Sequence, residues 1–332
     1  MTGAHEHPAD GAVPVDRDGV EATVESATCA PGGRAVLVLA HTGRPEAVAA
    51  LTEVVHRLSA AGVRPLVTSG EAASLAPQDR DLVSECTLGG AVADAELVVV
   101  LGGDGTILRA AELVRGSDAV LLGVNLGHVG FLAEAEREEL AETVARVIAG
   151  EFRVEERMTL DVRVLQEGRV LAESFAVNEV AVEKANRERM IELVVDVDGR
   201  PLTTFAGDGI IAATPSGSTA YAFSAGGPVV WPEVEAFLVC PISAHALFAR
   251  PLVLAPTSVV GVEVLPAAEG AVLWCDGRRL FEAPVGARVE VRRSATSVRL
   301  ARLSTGIFTD RLVAKFGLPV HGWRGPRPGG TS

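Results

Sequence analysis

Lysine is almost missing from this 332-residue chain: it occurs only at Lys184 and Lys315, so nearly all of the basic side chains are arginines. Neither lysine stands in a G-K-[ST] sequence, which excludes a Walker-type phosphate loop. Cysteine is sparse and scattered, at Cys29, Cys86, Cys240 and Cys275, with no C-x-x-C pair. That pattern excludes a disulfide framework or a zinc-finger set and fits reduced thiols. Positive charge is short overall, with a net charge of −13 and a pI near 5.1, so no broad basic face is on offer to a nucleic acid. Long hydrophobic runs are lacking too. The run Ala35–Ala40 is strand-sized, far below a membrane span. The first residues, MTGAHEHPADG, show no basic stretch followed by an apolar one. The expectation is a soluble cytoplasmic protein with no nucleic-acid or membrane partner.

What the chain does hold is apolar mass, 48% of its residues, enough for sizeable cores and, at this length, for two domains. Residues 1–33 are rich in Ala, Gly, Pro and Asp without apolar periodicity, and are expected to form a flexible extension. From Arg34 the pattern is alternating α/β. Ala35–Ala40 reads as a strand buried on both faces. Pro45 opens a helix that carries Val48, Leu51, Val55 and Leu58 at helical spacing and ends at Gly62. Strands are expected at 63–68, 97–101 and 120–124, and helices from Thr106 and around 140–147. Strands alternating with helices imply a covered parallel sheet over residues 34–150. After Arg153 come short strand-like runs at 160–165, 170–177, 191–197, 209–213, 259–265, 271–275, 287–292 and 298–303. They are separated by turn pairs such as Asp198-Gly199 and Asp276-Gly277. Residues 151–304 are therefore expected to form a mostly-β domain. The segment 308–316 is helical in composition, and 326–332 is expected to fray.

The sequence VVVLGGDGTILRAAELV places Gly102, Gly103, Asp104, Gly105 and Thr106 between a buried strand and a helix start. Glycines there let a ligand approach the backbone, and the helix N–H groups favour an anion. A carboxylate in such a turn repels phosphate unless it meets Mg²⁺ or accepts a proton from a nucleophilic hydroxyl, and both roles point to phosphoryl transfer. An ordinary capped βα turn is the plainer alternative. Arg109, one turn into the helix, either supplies compensating charge or is simply a solvated arginine. GGDGT resembles the signature of a superfamily that contains NAD kinases, diacylglycerol and sphingosine lipid kinases, and 6-phosphofructokinases. By itself it does not choose among them.

Two further segments discriminate. Asn178-Glu179 ends the expected strand FAV, and residues 214–228 read TPSGSTAYAFSAGGP, with the chain's only tyrosine, Tyr221, among small hydroxylated residues and glycines. Such a stretch lets backbone groups reach a dinucleotide while Tyr221 stacks on a ring, or else it is a glycine-rich loop with a packing tyrosine. GDGIIA at 207–212 formally fits G-x-G-x-x-A, but no long helix follows, so it is not a Rossmann fingerprint.

With LGVNLGHVGFLAE, NEV, PISAHALFARPLV, CDGR and TDRLVAKFGLPVHGWRG, these segments resemble the NAD kinase family in order and wording from about Ala35 to Gly325. The resemblance implies an α/β plus β fold: an N-terminal α/β parallel-sheet domain, a C-terminal mostly-β domain that binds NAD, and a chain end (305–325) returning to the first domain. It implies Asp104 as the base towards the ribose 2′-hydroxyl, Gly105 beside the dinucleotide, and Arg109 near phosphate. Asn178 and Glu179 would recognise the adenosine part, with further dinucleotide contacts from Asp208, Thr219, Ala220, Tyr221 and Ser224. It also implies ATP with Mg²⁺, polyphosphate as a donor for some members, a homo-oligomer, and no dedicated metal-ligand residues in the chain. His128 stands where the family's stretch would carry Lys or Arg, and His245 is expected to be structural. A lipid or sugar kinase, or an NAD-binding sensor without catalysis, are the other classes that share parts of this pattern.

Overall fold

The computed structural model describes residues 33–86, 95–127, 129–186, 188–266, 270–304 and 307–320. The expected N-terminal extension, His128 and the frayed tail lie outside these residues, apart from Gly33. In chain order the first part runs β1 (Ala35–Ala40), α1 (Pro45–Ala60), β2 (Arg64–Val67), α2 (Ser69–Ser74), α3 (Pro77–Arg80), β3 (Ser84–Glu85), β4 (Leu97–Leu101), α4 (Asp104–Val114), β5 (Val120–Asn125), β6 (Ala135–Glu136), α5 (Leu140–Ala149) and β7 (Arg153–Arg157). Then come β8 (Leu160–Gln166), β9 (Arg169–Ala176), β10 (Glu179–Lys184), β11 (Ile191–Val197), β12 (Arg200–Gly207), β13 (Gly209–Ala213) and α6 (Tyr221–Ser224). The last elements are β14 (Phe237–Ile242), β15 (Leu252–Leu254), β16 (Val259–Val264), β17 (Ala271–Cys275), β18 (Arg279–Ala283), β19 (Arg288–Arg293), β20 (Val298–Arg302) and α7 (Ile307–Phe316).

The first sheet has the order β3-β2-β1-β4-β5-β20-β7, with β6 beside β5. Its strands β1 to β5 are parallel, as an alternating strand–helix chain requires. Side-chain alternation splits β1 cleanly. Val36 and Val38 face α1 and α5 through Leu51, Val55, Val144 and Val147, while Leu37 and Leu39 face the layer that holds Ile107, Ala111 and Val114 of α4. That second layer also takes in Phe175 and Val177 from the β-rich part, so α4 lies between the two halves of the molecule.

The remaining strands form two antiparallel six-stranded sheets, β15-β14-β13-β10-β17-β18 and β12-β11-β16-β19-β8-β9. Alternate residues meet between them: Val180, Ile210, Phe237 and Leu273 from one sheet, Val162, Leu193, Val262 and Val289 from the other. On the outer face of the first of these sheets, Ala181, Ile211, Leu238 and Cys240 are covered by Ala222 of α6.

Three sequence expectations change. β7 and β20, both placed in the β-rich part by sequence, pair instead in the first sheet, β20 parallel to β5 and antiparallel to β7. The pattern of a short apolar strand does not say which sheet will receive it. The return of the chain therefore begins at Val298, before residue 305. Asn178-Glu179 does not end a strand: β9 stops at Ala176, and Glu179 opens β10 in the facing sheet.

Phe237 is fully buried at the centre of the sandwich core. Phe237→Ala is expected to lower the urea-derived unfolding free energy by about 3–5 kcal/mol, and a loss under about 1 kcal/mol would mean that this core collapses around the gap.

Candidate functional site

β4 is buried along its whole length and delivers the glycine-rich turn to the carboxyl edge of the first sheet. That edge is where open α/β sheets receive ligands. Gly102 donates its N–H to the Val124 carbonyl (3.0 Å), and a Cβ on it would collide with the Thr106 side chain. Gly103 precedes the first helical residue, and its carbonyl accepts from Thr106 and Ile107. The turn forms one wall of a cleft of about 510 Å³ to which Gly102, Gly103, Gly105, Thr106 and Arg109 contribute. The other walls are His41 and Arg44 from the β1–α1 connection, Glu46 in the first turn of α1, residues 125–127 at and after the end of β5, and Arg278 from the β17–β18 turn. Three guanidinium groups, Arg44, Arg109 and Arg278, thus line one cleft in a chain of net charge −13. The guanidinium groups of Arg44 and Arg109 have no hydrogen-bond or ion-pair partner among the described residues, and that of Arg278 lies 3.5 Å from Glu112 Oε2. Sequence reasoning found Arg109 and missed Arg44 and Arg278. Their signal, an arginine in a βα loop and another in a β-turn, is indistinguishable from solvated charge until the fold brings the loops together.

Asp104 opens α4, and its carboxylate is held by the loop after β5. Oδ2 accepts the Phe131 N–H (2.9 Å) and Oδ1 the Leu132 N–H (3.1 Å). This approach requires Gly130, since a Cβ there would strike Asp104 Oδ1. Each carboxylate oxygen has two lone pairs, so each keeps one for a further partner.

The second half of the site is organised by Asp276. Its buried carboxylate accepts the backbone N–H groups of Val177 (3.0 Å), Asn178 (2.7 Å) and Glu179 (3.3 Å), and the Arg279 guanidinium at 2.8 Å. The crossing between the two β sheets is thereby fixed, and Val177 packs beside Leu108 of α4. The glycine-rich run is fastened to the same point. Thr214 donates its N–H to the Asn178 carbonyl (2.9 Å) and its hydroxyl to the Val177 carbonyl (2.7 Å). Asn178 and Glu179 are buried, and Asn178 Oδ1 and Glu179 Oε2 have no partner among the described residues. Unsatisfied buried oxygens are what a polar ligand would complete. Burial, reinforced by Asp276, pushes the Glu179 carboxyl up to about 8, against the pull of the Tyr221 backbone N–H.

The run 214–228 then lies along β10. Thr219 donates its hydroxyl to the Ser216 carbonyl, Ala220 its N–H to the Gly217 carbonyl, and Ser224 closes α6 on the exposed side. Tyr221 is exposed and donates its hydroxyl to Glu183 Oε1 at 2.6 Å. Burial and that carboxylate push its phenol up to about 12. An aromatic cluster ties this run to the Asp104 loop. Phe131 lies 5.7 Å from Phe308 and 6.1 Å from Phe316 of α7, and Phe316 lies 4.7 Å from Phe223. The structure therefore joins the Asp104 turn, Asn178-Glu179 and residues 219–224 across the two halves. Asp208 lies beyond Tyr221, close enough for its charge to add to the rise of the Tyr221 phenol, and apart from Asn178-Glu179. It is ion-paired with Lys184 (2.6 Å) at the opposite end of β10, about 17 Å of strand rise from Glu179. His245 is exposed and donates its backbone N–H to the Ala206 carbonyl. Among the described residues no group of three or more His, Cys, Asp or Glu is placed to hold a metal ion, and no helix is long and apolar enough to cross a membrane.

Comparison with known proteins bears on this geometry. Residues 36–152 match the family model of the ATP-NAD kinase N-terminal domain, and 177–303 that of the C-terminal domain. A NAD kinase of Leifsonia xyli subsp. xyli is 60% identical over 296 residues, covering 88% of this chain and 97% of that one. A NAD kinase of Thermobifida fusca is 56% identical over 299 residues, covering 88% and 92%. Among solved structures, a yeast NADH kinase complexed with NADH superposes with a TM-score of 0.80 at 24% identity, covering 86% of this chain and 88% of that one. An Archaeoglobus fulgidus NAD kinase in complex with ATP gives a TM-score of 0.65 at 24% identity, covering 86% and 100%.

A carboxyl whose folded-state value lies above its unfolded value takes up a proton on folding between the two. The stability it contributes is therefore present at low pH and is lost as pH rises through the folded-state value. For Glu179 that window runs from about 4.5 to about 8. Glu179→Gln, which stays neutral, is expected to gain stability relative to the parent chain from pH 5 to pH 9, by on the order of a few kcal/mol in urea titrations. A gap independent of pH would place the titration elsewhere.

Proposed function

The chain belongs to the NAD kinase family, and on that footing we propose that it transfers the γ-phosphoryl group of ATP to the adenosine ribose 2′-hydroxyl of NAD, giving NADP. The observation that carries this reading is the union of a cationic cleft at the glycine-rich turn with a buried, unsatisfied Asn178–Glu179 pair. The first suits a chain of phosphates, the second a polar nucleoside. Glu179, protonated near neutral pH, would donate a hydrogen bond, and Asn178 Oδ1 would accept one, so a nucleoside with both kinds of group completes them.

In this mechanism the donor phosphates lie among Arg44, Arg109 and Arg278, with the N–H groups at the start of α4 turned towards them. Asp104, held by the amides of Phe131 and Leu132, takes the 2′-hydroxyl proton on a free lone pair while the oxygen bonds to Pγ. The bond from Pγ to the β-phosphate oxygen breaks, and ADP carries off that electron pair. Mg²⁺ arriving on the donor's phosphates would neutralise charge there. It needs few protein ligands, and Glu46 is the carboxylate of the cleft lining that would face it. A dinucleotide laid from Asn178 along β10, past Tyr221, would bring its far end to Asp208. Inorganic polyphosphate is a second donor that the arginine-lined cleft accommodates. Exposed Leu247, Phe248 and Val253 on the sandwich support a homo-oligomer.

The test is NADP formation from NAD, ATP and Mg²⁺ by the purified protein, beside Asp104→Asn and with polyphosphate as a parallel donor. Asp104→Asn is expected to lower kcat by roughly 10²–10⁴-fold. It is also expected to cost about 1–2 kcal/mol of stability, because an amide turns its NH₂ towards one of the two backbone donors. Folded parent protein that binds NAD without making NADP would instead favour a sensor. Arg44→Ala and Arg278→Ala are each expected to raise KM for ATP roughly tenfold with KM for NAD nearly constant. Equal effects on both constants would remove these arginines from the donor side.

A further inference from the structure

We propose that Arg311, on the helix formed by the returning chain end, is a positioning residue for Asp104 that acts through the peptide group joining Gly130 to Phe131. The proposal rests on Asp104 as the base. Arg311 Nη1 donates to the Gly130 carbonyl at 2.7 Å. The N–H of that same peptide unit, on Phe131, donates to Asp104 Oδ2 at 2.9 Å, and the next N–H, on Leu132, to Oδ1 at 3.1 Å. In a trans peptide the C=O and N–H point in opposite directions, so one planar group links guanidinium to carboxylate. A charged donor on the oxygen polarises the N–H and strengthens its bond to the acid. The plane is fixed on its flanks by Phe131, which packs against Phe308 and Phe316 of the same helix as Arg311.

The burial of Arg311 shows that this is more than a tether. Its residue is only 6% exposed, it forms no ion pair with a carboxylate among the described residues, and Nε has no partner. Burial, and then repulsion from Arg302, hold its guanidinium below the usual arginine range, while Glu136, Glu134 and Asp104 act in the opposite direction from farther away. A buried cation without a contact counter-ion is unfavourable. Fastening α7 to the loop does not need one: Lys315, on the exposed side, donates to the Val129 carbonyl at 2.8 Å. What Arg311 adds, and Lys315 does not, is contact with the peptide group that bonds the acid.

The experiment compares Arg311→Met, Arg311→Lys and Lys315→Met with the parent chain in NADP formation, with KM for NAD and thermal midpoints measured for each. Arg311→Met is expected to lower kcat roughly 10–100-fold with KM for NAD within about twofold. Arg311→Lys should recover part of that loss, and Lys315→Met should stay within about twofold of the parent while shifting the midpoint. In the Asp104→Asn background, Arg311→Met should change the remaining turnover less than about twofold, because the two residues act as a unit. Parallel losses in Lys315→Met, a full additive loss beside Asp104→Asn, or unchanged kcat in Arg311→Met would each reduce Arg311 to a tether. If Arg311→Met does not fold, a kcat in Arg311→Lys lowered more than about twofold with parental KM for NAD still supports positioning, and a kcat in it within about twofold of the parent overturns it. No NADP from the parent chain overturns the kinase reading and this proposal with it, whereas NADP from the parent with full turnover in Arg311→Met overturns this proposal alone.

Discussion

Where the chain crosses from one sheet of the sandwich to the other, the buried carboxylate of Asp276 collects three consecutive backbone N–H groups and one guanidinium. Without it, those amides would be left unpaired in a dry interior, each at a penalty of about 1–3 kcal/mol. The same β-turn carries Arg278 into the cleft and Arg279 over the Phe175 ring, where Arg115 from the end of α4 also stacks. One turn residue therefore sets the height of the Asn178–Glu179 pair, the approach of a cleft arginine and the seat of α4 against the sandwich. Burial raises the carboxyl of Asp276, and the Glu179 carboxyl is raised first by its own burial and then by the neighbouring Asp276.

The distribution of charge follows a related logic. An acidic surface keeps a net-negative chain from collecting anions indiscriminately, while loops from both halves bring Arg44, Arg109 and Arg278 to a single cleft. Near-absence of lysine sharpens this. Guanidinium groups stay charged even where burial works against them, and their planar forks suit phosphate oxygens and carbonyls alike. Arg157, Arg302 and Arg311 show the extreme, each about 6% exposed within the joint between the halves.

Much of this was legible in the sequence. The parallel strands of the first sheet carry continuous apolar runs, β11, β13 and β17 carry the lengths expected of them, and GGDGT announces a turn richer in glycine than capping needs. Asn178 and Glu179 were legible as residues but not as structure, because nothing local distinguishes the end of FAV from the start of the next strand. The fate of 298–302 was hidden for a different reason: a five-residue strand has no local mark of its partner, and this one pairs with residues 120–121 and 153–157. Asp276 looked like an ordinary Asp-Gly turn. Its importance comes from contacts almost a hundred residues away, which periodicity does not register.

The late arrival of β20 also bears on how the molecule is made. On a ribosome the N-terminal part emerges first and begins to fold as it does. Here the edge of β5 at Val120 and Leu121 stays open until Val298–Arg302 has been synthesised, and β7 has no partner in the sheet until the same moment. A bare parallel edge is a template for mispairing with another chain. The nascent protein thus spends the synthesis of the entire sandwich with one flank uncovered, and the strand that seals it is followed directly by the helix that reaches Gly130. A chain stopped short of its last few dozen residues would lack both the seal and the clasp, so that an incomplete product shows an open sheet edge to quality control.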